Sequence, residues 1–177
     1  MKMQVVNFRP EVTDAIRSAA RVYHLEPELL AGLVMRESSG DPAATRYEKD
    51  YPYLWDVLAR RPIRSVDPMT FPSLDGDGPG EWHNQKTSFG LAQVMGAVAR
   101  QYGFAGAFDP DFLSPTTNCL YGARHLASFL KKWGNESDAL SAYNAGAPTQ
   151  KNYEGYVKAV LKMRDEYRKM WATSVIA

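Results

Sequence analysis

Apolar residues recur at spacings of three and four through most of the chain, and period-two alternation never lasts more than a few residues. That pattern restricts the fold to packed amphipathic helices, because only a helix brings such positions onto one face. Val12, Ala15, Ile16, Ala19, Ala20 and Tyr23 form one stripe between Pro10 and His24. Leu29, Leu30, Leu33 and Val34 form a second, on a helix expected from Pro27 to about Ser38 and stopped before Gly40. Ser88 is read as the cap of a third helix running to Gln101 and closed by Gly103. Ser114 and Pro115 open the next helix, with Leu120, Ala123, Leu126, Leu130 and Trp133 buried. Asn135 begins a short helix over Ala139 to Asn144, and a last helix starts near Asn152. The expected fold class is mainly α, in one domain over 1–177.

One segment departs from this pattern. Between Asp41 and Gln85 lie six of the eleven prolines, together with Tyr47, Tyr51, Tyr53, Trp55, Phe71 and Trp82. A short helix over Tyr53 to Arg60 is the one element expected in it. A long irregular stretch inside a compact domain is usually functional, so about 41–85 is read as an insert. Packing of these aromatics into a satellite core is the competing reading.

Composition narrows the function. A net charge of +1 gives no reason to expect a nucleic-acid partner. The lone Cys119 excludes an intramolecular disulfide and a Cys-rich zinc site. His24, His83 and His125 lack metal-ligand spacing, and Asp75-Gly76-Asp77-Gly78 reads as an acidic turn, so neither metal nor cofactor is expected. The longest apolar run, Leu29 to Met35, is too short to span a bilayer. No apolar signal-peptide region follows Met1, so a chain without a leader and without stable membrane insertion is expected.

Glu37 carries the most chemistry. Positions 30, 33, 34 and 37 share a helical face, so its carboxyl continues the apolar stripe. Apolar surroundings disfavour the charged form and raise the pKa. A carboxyl protonated near neutrality can donate to a leaving group. A helix-end Glu that reaches solvent is the plainer alternative.

Four motifs follow in order: Arg36-Glu37-Ser38-Ser39-Gly40, Ser88-Phe89-Gly90-Leu91-Ala92-Gln93, Ala142-Tyr143-Asn144-Ala145-Gly146 and Tyr156-Val157. In this order the chain resembles the SLT-type lytic transglycosylases, goose-lysozyme-like enzymes that cleave peptidoglycan. The resemblance implies a lysozyme-like fold, with Glu37 as catalytic acid/base and Ser38 steadying its carboxylate. It also implies that Ser88, Gly90, Gln93, Tyr143, Asn144 and Tyr156 contact substrate, with the Tyr143 hydroxyl near the acid and Tyr156 closing the cleft. Ala92 stands where the family usually has Met, and the Glu-Thr often found ahead of Tyr156 is absent.

Goose-type lysozymes carry an aspartate two residues after the Gln of the second motif, to position a water; Met95 stands there. The resemblance therefore implies a transglycosylase, closing a 1,6-anhydro ring on N-acetylmuramic acid. A hydrolase using Asp75, Asp77 or Glu81 of the insert remains the near alternative. A non-catalytic glycan-binding or virion module is the distant one. The expected partner is peptidoglycan, met by a monomer at the cell wall (periplasm). A phage-type lysis protein released from the host cytoplasm, or a virion-associated enzyme, fits a chain without a leader. Trp55, Tyr51 or Trp82 of the insert is expected to stack on sugars as a lid. The final helix, with a surplus of Lys and Arg, reads as a solvated face, attraction to an anionic wall or membrane being the alternative.

Overall fold

The computed structural model describes residues 5–64 and 66–173. The two ends of the expected 1–177 domain, and Ser65 of the insert, lie outside the described residues. Helices α1 (Pro10–Val22) and α2 (Pro27–Ser38) each start on a proline, as expected from its fixed φ and missing N–H. Helices α5 (Pro115–Trp133) and α6 (Glu136–Ala145) follow the insert, and α8 (Lys158–Thr173) closes the fold. Leu30, Leu33, Val34, Ala123, Leu126, Leu140 and Val160 are fully buried between them. This is the mainly helical architecture that the stripes require.

Helix α2 lies against α8 along its length. A Cβ at Gly32 would sit 2.7 Å from the Val160 carbonyl oxygen and 2.9 Å from the Arg164 nitrogen. Only glycine permits this approach, and the approach holds Glu37 at the α2 C-terminus beside the start of α8. Ser39, in the left-handed region at φ 56°, caps α2; Gly40, expected to do so, follows at φ 81°.

Several expected elements are replaced. Ser88 does not cap a helix. It lies in β4 (Thr87–Phe89), which pairs antiparallel with both β1 (Thr45–Tyr47) and β5 (Val94–Met95). Helix α4 (Gly96–Gln101) starts only afterwards. Gly90 at φ 68° and Gln93 at φ 47° turn the chain between the strands, which a continuous helix would forbid. The helix expected over Tyr53 to Arg60 is a hairpin, β2 (Leu54–Asp56) with β3 (Arg61–Ile63). The last helix is likewise broken. A short α7 (Gln150–Asn152) runs into a π-helical turn, Tyr153–Val157, before α8.

The insert is ordered and anchored. It holds β1, the hairpin and α3 (Gly78–Gln85), the last capped by the Asp77 carboxylate, which accepts from the Gly80 N–H at 2.9 Å. Buried Gln85 donates to the Trp55 carbonyl at 2.8 Å and accepts from the Trp55 N–H at 2.7 Å, riveting the hairpin to α3. Among the described residues no helix is long and apolar enough to cross a membrane, and no group of acidic, His or Cys side chains could hold a metal ion.

Candidate active site

Glu37 opens into a cavity of about 520 Å³ walled by three parts of the chain. Ser88, Gln93, Val94 and Met95 come from the β4–β5 region. Arg46, Glu48, Tyr51 and Tyr53 come from the insert. His125 and Phe129 of α5, with Tyr143 and Asn144 of α6, complete it. Four of the residues singled out by the sequence, Ser88, Gln93, Tyr143 and Asn144, thus share one cavity with Glu37. Ser38, Gly90 and Tyr156 are not among its lining residues.

The carboxyl of Glu37 is half-buried, and burial raises its pKa above the usual 4.5. A hydrogen bond from Tyr156 and the charges of Arg46 and Arg36 act in the opposite direction without reversing it. The Tyr156 hydroxyl donates to Glu37 Oε1. The phenol is presented by the π-helical turn, a geometry that often marks functional positions within helices. Tyr143 lies close to the acid without bonding it. Its hydroxyl donates 2.7 Å to the Ala92 carbonyl, although it lies near enough to the Glu37 charge for its own pKa to rise, burial being the larger cause. Tyr156, expected to close the cleft, is the tyrosine that touches the acid.

Ser38 does not steady the carboxylate. Its hydroxyl donates to the Leu91 carbonyl at 2.8 Å, tying the end of α2 to the second motif. Gln93 is also committed internally: Nε2 donates to the Ala44 and Gly90 carbonyls, each at 2.9 Å, and Oε1 accepts from the Ser88 hydroxyl at 2.8 Å. Gly90 works by lacking a side chain, since a Cβ there would meet the Asn118 amide at 2.6 Å. Buried Asn118 accepts from the Ala92 N–H at 2.8 Å and donates to the Phe89 carbonyl at 2.8 Å. The turn that shapes the cavity is therefore pinned from below by a residue the sequence reading missed. A single polar residue on an apolar helical stripe, three positions past Pro115, was the available signal. Asn144 is exposed and makes no side-chain hydrogen bond among the described residues, so its amide is free for a ligand.

The insert contributes differently from expectation. Asp75, Asp77 and Glu81 lie around a separate hollow with Arg100, outside the Glu37 cavity. Glu81 is buried in an ion pair with Arg100, and Asp75 and Asp77 cap backbone N–H groups. The insert carboxylate that does line the cavity is Glu48, paired with Arg46. Tyr51 and Tyr53 form part of the wall, and beyond them Trp55 borders an adjoining hollow of about 250 Å³. Trp82 lines neither space; Lys86 Nζ sits 4.5 Å over its ring.

His125, whose spacing in the sequence suggested no metal site, lines the cavity. Burial pushes its pKa down to about 4, so it is neutral at pH 7, and its Nδ1 lies 3.0 Å from the Tyr102 hydroxyl. The basic surplus of α8 is largely neutralised: Lys158 pairs with Glu154, Arg164 with Glu136 and Asp165, Arg168 with Glu26 and Asp165, and Lys169 with Glu166. Cys119 is buried, and burial lifts its thiol to about 12.

Comparison with known proteins agrees with this geometry. The family model described as a transglycosylase SLT domain matches residues 14–165. A protein named transglycosylase from Enterobacteria phage PRD1 is 29% identical over 146 residues, covering 82% of this chain. The chain spans 38% of that relative's length. No solved structure matches.

Proposed function

The chain belongs to the transglycosylase SLT domain family, and we propose that it cleaves the β-1,4 bond between N-acetylmuramic acid and N-acetylglucosamine in peptidoglycan. The single observation that carries this is a carboxyl with a raised pKa, hydrogen-bonded by Tyr156, facing an open cavity of about 520 Å³. In this reading protonated Glu37 gives its proton to the glycosidic oxygen as the bond breaks. The N-acetyl group of the muramic acid assists departure. The Glu37 carboxylate, held by the Tyr156 hydroxyl, then takes the proton of the 6-hydroxyl, which attacks C1 and closes a 1,6-anhydro ring. One carboxyl acts first as acid and then as base, so protons balance without a second one.

Two features support ring closure over hydrolysis. Inverting hydrolysis needs a second carboxylate to activate a water across the sugar ring. Met95, whose thioether is no base, lines the cavity, and the second carboxylate there, Glu48, is engaged by Arg46. Tyr51, Tyr53, Phe129 and the free Asn144 amide suit a ligand read by stacking and hydrogen bonds. The same reading puts the site of action at the bacterial cell wall, in a phage lysis or entry role.

Loss of sacculus clearing in Glu37→Gln, with an unchanged circular dichroism spectrum, is the expected result. Clearing at the wild-type rate by that variant would remove Glu37 from the reaction. A wild type that binds sacculi without clearing them would favour a glycan-binding module.

A further inference from the structure

Strand β1 brings to the cavity a charged pair that the acid chemistry does not use. Arg46 and Glu48 are two residues apart on extended backbone, so their side chains leave the strand on the same side. Both line the cavity that holds Glu37. The strand beneath them is fixed. Arg46 is in register with Ser88 of β4, and the Glu48 N–H extends the ladder to the Lys86 carbonyl at 2.8 Å.

Within the pair, Arg46 Nε donates to Glu48 Oε1. A guanidinium has five donors in a planar fork, and this contact uses only its Nε side. The edge formed by the two terminal nitrogens has no partner among the described residues, and the side chain is 65% exposed. Glu48 thus orients a fork whose open edge matches the spacing of a second carboxylate.

Against the carboxyls of Glu37 and Glu48 in the same cavity, that edge is the place where an anion would meet a positive charge. Arg46 is the one fixed cation among the residues lining the cavity, because His125 stays neutral there at pH 7. Its charge is near enough to Glu37 to be felt by that carboxyl. A carboxylate bound at Arg46 would therefore lie within one cavity's breadth of the scissile bond. A glycan backbone offers no such group, whereas the short peptides substituted on muramic acid do.

Resting on the peptidoglycan reading above, we propose that Arg46 is a specificity residue that binds a carboxylate of the peptide carried by the strand in the cleft. The contact is bidentate, along the terminal-nitrogen edge, with Glu48 holding the guanidinium in place. The cleft then prefers strands with acidic peptides to strands whose peptides are neutral.

The test compares soluble, uncrosslinked glycan strands bearing their peptides with the same strands after carbodiimide coupling to excess methylamine has converted the peptide carboxylates to amides. Wild type should show kcat/KM about tenfold higher on the acidic strands, the size expected of a charge-assisted contact in a partly exposed cleft. Arg46→Gln should lose that preference, and Arg46→Lys, a point charge without a fork, should keep part of it. A residue that merely tuned Glu37 would lower rates on both strands equally and leave the ratio unchanged. An unchanged ratio in Arg46→Gln, or no preference in wild type, overturns the proposal. Binding of both strands to the Glu37→Gln variant by titration calorimetry gives the same ratio without turnover. Preferential binding that depends on Arg46, in a protein whose wild type cleaves neither strand, would uphold this site and refute the catalytic reading.

Discussion

Replacing Glu81 by Gln should cost far more than a change at a surface loop would. Glu81 and Arg100 are 5% and 6% exposed. The carboxylate accepts from Arg100 Nε at 2.9 Å, from Arg100 Nη2 at 2.8 Å and from Gln85 Nε2 at 2.8 Å. Arg100 Nη1 donates onward to the Phe104 and Gly106 carbonyls at 2.8 and 3.0 Å, and its guanidinium lies 4.4 Å over the Phe108 ring. A Gln at 81 leaves this buried cation without its counter-charge. Removing one partner of a buried ion pair costs about 3–5 kcal/mol. A typical domain has only about 5–15 kcal/mol in total. At roughly 2–4 °C per kcal/mol for a chain of this size, the melting temperature should fall by about 6–20 °C.

The damage should also reach the cleft. Gln85 bonds both Glu81 and the backbone of Trp55, so loosening it frees the hairpin behind Tyr51 and Tyr53, and KM on polymeric substrate should rise. Urea unfolding followed by circular dichroism measures the first effect, and kinetics on sacculi the second. Replacing both partners, Glu81→Met with Arg100→Leu, should recover most of the stability, because no lone charge remains. A loss below about 1 kcal/mol in Glu81→Gln would refute the reasoning that the insert is part of the cooperative core.

Three further outcomes are expected. Burial raises the Glu37 pKa, so folding favours its protonated form; the associated stability is present below pH 4.5 and is lost as pH rises through the folded-state pKa. Thermal melts should therefore show Glu37→Gln more stable than wild type at pH 8, with the difference closing toward pH 4. Gly90→Ala should lose about 1–3 kcal/mol from a left-handed backbone alone, with further loss from the Asn118 contact; equal denaturation midpoints would contradict this. The Cys119 thiol should resist a disulfide reagent in native protein and react only after unfolding, so fast labelling without denaturant would contradict its burial.

How much was legible in the sequence follows from which forces set each feature. The α1 and α2 boundaries, the Pro115 start of α5 and the Asn135 cap were readable, because prolines, caps and apolar spacing act locally. The Asn135 side chain accepts from the Asp138 N–H at 2.8 Å, as its position suggested. Residues 87–95 were misread because their helical spacing competes with positive φ at Gly90 and Gln93. The strand pairing that wins there comes from Thr45–Tyr47, more than forty residues away in sequence. Glu37 and its cavity partners followed from the motif resemblance, but their hydrogen bonds did not. Ser38 and Gln93 point their polar atoms into the scaffold, and Tyr156 bonds the acid while Tyr143, close by, bonds the Ala92 carbonyl. Arg46, Glu48, His125 and Asn118 sit in no quoted motif, and only tertiary packing brings them to the site or beneath it. The acidic residues at 75–81, read as an acidic turn and weighed as a hydrolase's second carboxylate, are consumed by capping and by Arg100.

The masses of the muropeptides released from purified sacculi test the central claim most directly. Wild-type digests should contain products ending in 1,6-anhydro-muramic acid, one water lighter than hydrolysis products, and Glu37→Gln digests should contain none. Products ending only in reducing muramic acid would contradict ring closure and make the chain a hydrolase. Anhydro products from Glu37→Gln at the wild-type level would contradict the assignment of Glu37 itself.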